Sequence, residues 1–161
     1  MIIRDKEKLG EIVNRLKFEG KKIVTTNGCF DILHKGHVFY LRESKKYGDV
    51  LIVGLNSDSS VKRLKGEDRP INDERSRAIV LDELKSVDYV FIFEEDTPIE
   101  FLKIVKPHYH TKGADYEGKN ISELDVLKKY GGKMVYIKYL ENYSTTNIIN
   151  KIKKDKENGD N

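Results

Sequence analysis

At 161 residues the chain has room for one domain and its core, and none for a second. Its 30 Lys and Arg stand against 27 Asp and Glu, so the net charge of +3 is a small difference between interspersed opposite charges, which argues against a nucleic-acid partner while tolerating an anionic substrate. One cysteine, Cys29, excludes an internal disulfide, no apolar run approaches the roughly 20 residues that cross a bilayer, and the opening residues lack a secretory pattern, so a cytoplasmic enzyme with no membrane partner is expected.

In chain order, Met1–Glu19 carries Leu9, Ile12, Val13 and Leu16 at helical spacing, which predicts an amphipathic helix laid against a sheet. A β-branched run at Ile23–Thr26 predicts the first strand. Gly36 to Tyr47 predicts a helix, with Lys45 and Lys46 near its negative end and Gly48 as its stop. Further strands are predicted at Val50–Leu55, Tyr89–Phe93 and Met134–Ile137, with a less apolar one through His108–Thr111. Before the last two, Thr97-Pro98-Ile99-Glu100 predicts a helix start, with Thr97 as cap and Pro98 at the first helical position. From Lys153 to Asn161 the chain is charged and lacks aromatics, and is expected to fray. Strands alternating with helical segments imply a Rossmann-like three-layer α/β/α fold with a parallel sheet of about five strands, in a single domain over residues 1–161.

The most informative stretch is Thr26-Asn27-Gly28-Cys29-Phe30-Asp31-Ile32-Leu33-His34-Lys35-Gly36-His37, which follows the first strand and opens a helix. Ligands of open parallel sheets bind at the carboxyl ends of the strands, and a helix start there offers free N–H groups to phosphate. Gly28 and Gly36 let the backbone approach those phosphates. His34 and His37, three apart, can face one ligand and donate hydrogen bonds to phosphate oxygens as charge builds. On H-x-x-H alone, ordinary surface or metal-binding histidines are an equal reading. Asp31 is expected to orient a backbone loop or a histidine. Cys29 reads as a small residue without thiolate chemistry, and His108 with His110 is too small a set for zinc.

Gly28 to His37 resembles the G-x-F-D-x-x-H-x-G-H signature of the cytidylyltransferase-like nucleotidyltransferase superfamily. The resemblance implies that His34, His37 and the adjoining helix start bind a nucleoside triphosphate and stabilise the transition state, with no covalent enzyme intermediate. It extends through Asn56-Ser57-Asp58, Val61-Lys62-Arg63-Leu64-Lys65-Gly66, Arg69-Pro70, Arg77-Ala78-Ile79-Val80-Leu81, Glu94-Glu95-Asp96-Thr97-Pro98, Lys112-Gly113-Ala114-Asp115-Tyr116 and Ser144-Thr145-Thr146-Asn147-Ile148-Ile149. In these segments the chain is similar to the adenylyltransferases of ADP-heptose synthesis, in many bacteria the C-terminal half of a bifunctional protein that begins with a sugar kinase; here only the transferase part is expected.

That likeness implies ATP as donor, D-glycero-β-D-manno-heptose 1-phosphate as acceptor, and supply of lipopolysaccharide core precursor as the role. Mg²⁺ is expected to arrive with ATP, with no metal held by protein side chains. A homodimer or larger homo-oligomer is expected, with a separate sugar kinase upstream. Lys65, before Lys62, is the expected catalytic lysine, in a basic loop with Arg63 that closes over the phosphates. Thr26, Asn27, Gly28, Cys29, Phe30 and Gly36 are expected around the nucleotide, Arg77 is implied to point into the site, and Asn56, Asp58 and Arg69 are implied to touch substrate. Lys112, Gly113 and Asp115 are expected near the nucleoside, and Ser144, Thr145 and Thr146 to cap a helix while holding phosphates. Related cytidylyltransferases carry an Arg where this chain has Leu140-Glu141-Asn142-Tyr143, which argues against a simple transfer of their substrate. Two alternatives stay open: a sibling enzyme acting on glycerol 3-phosphate, phosphoethanolamine or FMN with CTP or ATP, and a non-catalytic nucleotide-binding module.

Overall fold

The computed structural model describes residues 1–138 and 144–159, so the stretch Leu140 to Tyr143 lies outside the described residues. Its centre is a six-stranded sheet in which every neighbouring pair is parallel, in the order β1-β4-β3-β2-β5-β6. The strands are β1 (Ile2–Ile3), β2 (Ile23–Gly28), β3 (Val50–Asn56), β4 (Tyr89–Phe93), β5 (Tyr109–Gly113) and β6 (Lys133–Ile137). Five correspond to the predicted runs. The sixth, β1, takes the first residues of the segment expected to be wholly helical: Ile2 and Ile3 pair with Val90 and Phe91. Helix α1 (Lys6–Phe18) begins only after Asp5, whose carboxylate accepts from the Lys8 amide at 2.7 Å and ends the extended stretch.

Apolar runs that look uniform in sequence divide strictly between two faces. Ile23, Ile52, Phe91 and Phe93 pack with α1 and α5 (Ile99–Val105) on one side. Val24, Leu51, Val53, Leu55, Val90 and Ile92 pack with α2 (Lys35–Lys45) and α4 (Glu74–Asp82) on the other. Neighbouring side chains thus enter opposite cores, which is why parallel strands show no polar alternation.

Two local expectations change. Helix α5 begins at Ile99 with Pro98 in the cap position, its carbonyl accepting from the Leu102 amide at 2.9 Å, and no side chain caps it. Thr97 therefore sits one residue too early for its hydroxyl to reach the first free amides. Helix α2 ends at Lys45 with Lys46 as its C-cap in right-handed helical conformation, and Gly48 serves close approach instead: a Cβ there would lie 2.5 Å from the Lys22 carbonyl oxygen. The charged segment from Lys153, expected to fray, continues α7 (Thr145–Gly159).

Strands β2, β3 and β4 run outward in one direction and β5 then returns to the other side of β2. The carboxyl ends of β2 and β5 form the switch point where open parallel sheets leave a ligand crevice.

Candidate active site

A cleft of about 960 Å³ opens at that switch point, at the upper end of the size range of ligand pockets. Its floor is the turn from β2 into α2. Phe30 holds a left-handed backbone (φ 46°), and its ring lies over Gly28, where a Cβ would be 3.0 Å from the ring edge. A strained non-glycine residue at a site is the pattern expected of a turn fixed for ligand binding. Asn27, Gly28, Cys29, Phe30 and Gly36 all line the cleft. The Cys29 thiol is pushed up by burial, which keeps it protonated and unreactive. Thr26 does not reach the cleft: its hydroxyl meets the Tyr40 hydroxyl at 2.7 Å and donates to the Thr111 carbonyl, bracing β2 against α2 and β5.

His34 and His37 lie side by side on the cleft wall, stacked with ring centroids 3.8 Å apart. His34 is the cap of α2, its Nδ1 accepting from the Gly36 amide at 3.1 Å, which places its proton on Nε2. Burial lowers the His34 pKa. Burial, and then the charge of His34, push His37 down to about 4. His37 also meets the Phe30 ring edge at 5.3 Å, and its Nδ1 is buried without a partner among the described residues. Near neutral pH both rings are therefore uncharged N–H donors.

Asp31 is buried and acts on structure. It accepts from the amides of Ile71 and Asn72 at 2.9 Å and from Arg69 Nε at 2.7 Å, tying the loop after α3 (Asp58–Lys65) to the turn. Burial raises its pKa, and these donors more than offset that, holding the carboxyl below its ordinary range. Arg69, so anchored, lines the cleft together with Lys65 and Asn56.

Besides Thr26, and Asp115 described below, four expected residues lie outside the lining. Arg77 does not point into the cleft. Its buried guanidinium donates to the carbonyls of Asn72, Cys29 and Asn56 and to Asp58 Oδ1. This brace also removes Asp58 from the lining. The reason is topological: α4 passes behind the turn, so its inward arginine meets carbonyls before it meets solvent. Arg63 is turned onto Asp96 (2.7 Å) and the Glu94 carbonyl, and Lys62 is likewise absent from the lining; of the basic side chains of α3, Lys65 at its end reaches it, beside Leu64.

On the opposite wall, Lys112 and Gly113 line the cleft while Asp115, in a short 3-10 turn (Ala114–Tyr116), does not. Ser144, Thr145 and Thr146 line it too. Ser144 Oγ accepts from the Asn147 amide at 3.1 Å as an N-cap, and Thr145 donates to the Ile32 carbonyl at 3.2 Å. His108 accepts from the Ile23 amide at the amino end of the sheet, and buried His110 meets the Thr25 hydroxyl at 2.8 Å, both as structural partners. Among the described residues no group of three or more His, Cys, Asp or Glu is placed to hold a metal ion.

Sequence reasoning missed Tyr40, Tyr116, Ser122 and Glu123, all in the lining. Tyr40 follows His37 by one helical turn and was within reach of spacing arguments. Glu123 sits in α6 (Ser122–Lys128), a short charged helix with no pattern to single it out.

The profile of the family described as cytidylyltransferase-like matches residues 25–151. The "Bifunctional protein HldE" of Aliarcobacter butzleri is 52% identical over 155 residues, covering 96% of this chain and 32% of that protein. The protein of the same name from Nitratiruptor sp. is 54% identical over 151 residues, 94% of this chain and 32% of its own. The chain thus spans about a third of the length of these curated relatives. Among solved structures, the lipopolysaccharide core biosynthesis protein from Thermoplasma volcanium is 38% identical with a TM-score of 0.61, covering 78% of this chain and 100% of that one. Pantoate-beta-alanine ligase from Francisella tularensis, at 19% identity and a TM-score of 0.61, covers 92% of this chain and 75% of its own, and shares the fold.

Proposed function

This chain belongs to the cytidylyltransferase-like family, and from that membership we propose that it is a nucleotidyltransferase that moves AMP from ATP to D-glycero-β-D-manno-heptose 1-phosphate, giving ADP-heptose and pyrophosphate. The observation that carries the reaction class is the stacked pair of histidines at the start of α2, at the switch point of the sheet. The acceptor is supported by the about 50% identity to proteins named HldE and by the name of the Thermoplasma structure.

In the reaction an oxygen of the acceptor phosphate attacks the α-phosphorus of ATP, the bond to the bridging oxygen breaks, and pyrophosphate leaves on the opposite side. The positive end of α2 and the histidine N–H groups face the phosphate oxygens, and being fixed by the fold they need no reorganisation as charge moves. A neutral imidazole keeps one N–H donor for this task. Lys65 and Arg69 line the cleft as cations for the leaving and attacking phosphates. Ser144, Thr145 and Thr146 complete the nucleotide wall.

Mg²⁺ bound with the triphosphate supplies further neutralisation of phosphate charge. The lining carboxylates fit an ion carried by the phosphates better than one held by protein, because Asp31, Asp96 and Glu123 are engaged by Arg69, Arg63 and Lys112. The reading further includes a single cytoplasmic domain, a homo-oligomer, and a sugar kinase that supplies the acceptor. No helix among the described residues is long and apolar enough to cross a membrane.

The test is pyrophosphate release from ATP or CTP with heptose 1-phosphate, glycerol 3-phosphate, phosphoethanolamine and FMN. ATP with the heptose should be fastest. Faster release with CTP and glycerol 3-phosphate overturns the substrate and keeps the reaction class; binding of ATP with no release from any pair indicates a non-catalytic module.

A further inference from the structure

Lys112 and Glu123 form an ion pair unlike the others. Their Nζ–Oε1 distance is 2.9 Å, their side chains are 10% and 9% exposed, and both line the cleft. The other buried charges pair differently: Asp31 and Arg77 each meet a partner more exposed than themselves. Lys112 stands at the carboxyl end of β5, one residue past the pairing of Thr26 with Thr111, so its backbone is fixed beside the end of β2. The Tyr116 ring lies 5.1 Å from its ammonium, and the Ser122 hydroxyl donates to the second carboxylate oxygen of Glu123 at 3.3 Å. The ammonium is thus held from the carboxylate side and from the ring side.

Stability alone gives no reason for such a pair, because buried ion pairs are often no better than apolar side chains of similar size. Nor is Lys112 a simple hook for anions, since Glu123 cancels its charge. What the pair supplies is position: a free lysine has many rotamers and a paired one has few. Three N–H donors on one ammonium leave Lys112 able to serve Glu123 and a phosphate together.

We propose that Glu123 is a positioning residue for nucleotidyl transfer, fixing the Lys112 ammonium at the switch point where the acceptor phosphate meets the α-phosphate. The proposal rests on the reaction class given above and is independent of the acceptor. Loss of the Glu123 carboxylate relieves repulsion of the incoming triphosphate while loosening the ammonium, so binding of ATP and the chemical step should respond differently.

The experiment is a double-mutant cycle with Glu123→Gln, Lys112→Met and the double variant, together with Glu123→Asp. It is run on the nucleotide and acceptor that the wild type turns over fastest, so a wrong acceptor above leaves it intact. Glu123→Gln should lower kcat by about 10-fold or more while the nucleotide KM changes by no more than about twofold, the scale of a misplaced group. Glu123→Asp should restore part of the loss. In the Lys112→Met background, Glu123→Gln should cost almost nothing more, because both act through one ammonium. Thermal melts fix an assay temperature at which every variant is folded. Additive losses, an unchanged kcat in Glu123→Gln, a loss that follows the unfolded fraction, or a change confined to KM overturns the positioning role. If Glu123→Gln does not fold, the comparison of Glu123→Asp with the wild type in kcat and KM decides it. A wild type inactive with every pair overturns the reaction class and this proposal with it.

Discussion

His34 caps the helix on which His37 rides: its Nδ1 accepts from the Gly36 amide at 3.1 Å while its ring stacks on that of His37 at 3.8 Å. One histidine thereby sets the orientation of both and exposes each to the other's charge. Protonating either ring is opposed by burial, and protonating both is opposed further by repulsion.

A stability signature follows. His37 is held at about 4 in the folded protein against 6.5 ordinarily, so between those values the unfolded chain binds more protons. Stability should be full above pH 6.5 and fall as pH drops toward 4, by on the order of 2 kcal/mol at pH 5 from His37 alone. His110 and His34 act in the same direction. Urea midpoints at pH 7 and pH 5 should separate less in His37→Asn than in the wild type; an equal separation would show that His37 titrates normally.

Lys65 reaches the cleft and Arg63 does not. Lys65→Ala should lower kcat by about 10-fold or more with a smaller rise in KM, as expected for a cation acting on the transition state. Arg63→Ala should stay within about threefold of the wild type in kcat/KM, because its surface partners Asp96 and the Glu94 carbonyl contribute little. The reverse order in steady-state kinetics would move the catalytic role up α3.

Arg77 spends its guanidinium on three carbonyls and Asp58 with essentially no exposure. Replacing it by Met strands those acceptors and the carboxylate, at a cost of about 3 kcal/mol or more. Urea denaturation of Arg77→Met should show that loss. A variant as stable as the parent but with weakened ATP affinity would put Arg77 back in the ligand site.

Gly48→Ala should destabilise by about 2 kcal/mol, since its Cβ would lie 2.5 Å from the Lys22 carbonyl oxygen and 2.8 Å from Val24 Cγ2. Thermal melting checks it, and an unchanged melting temperature would indicate that the α2–β3 connection shifts at little cost.

Strands β2, β3 and β4 were legible as apolar runs rich in β-branched residues and buried on both faces, β5 and β6 as shorter, less apolar runs between helical segments, and the turn from Gly28 to His37 because its glycines and histidines fall at fixed spacing. Ile2–Ile3 was not, since two residues make no pattern and only the exposed edge of β4 gives them a partner. Arg77 misled for a related reason: a lysine or arginine shows its charge in sequence and conceals what it meets. Arg63 turning to Asp96, and Lys112 to Glu123, depend on segments that only the folded sheet brings together. Asp31 was readable as a loop support because a carboxylate in a tight turn has amides close at hand.

The most direct test of the central claim is acceptor-dependent pyrophosphate release from ATP with D-glycero-β-D-manno-heptose 1-phosphate by the wild type and by His37→Ala. The wild type should turn over, and His37→Ala should lose about 100-fold in kcat/KM, the scale of one lost donor to a developing oxyanion, while melting as a folded protein. Adding His34→Ala should cost less than its own single loss, because the stacked pair acts as a unit. A folded His37→Ala that releases pyrophosphate at the parental rate would contradict the account.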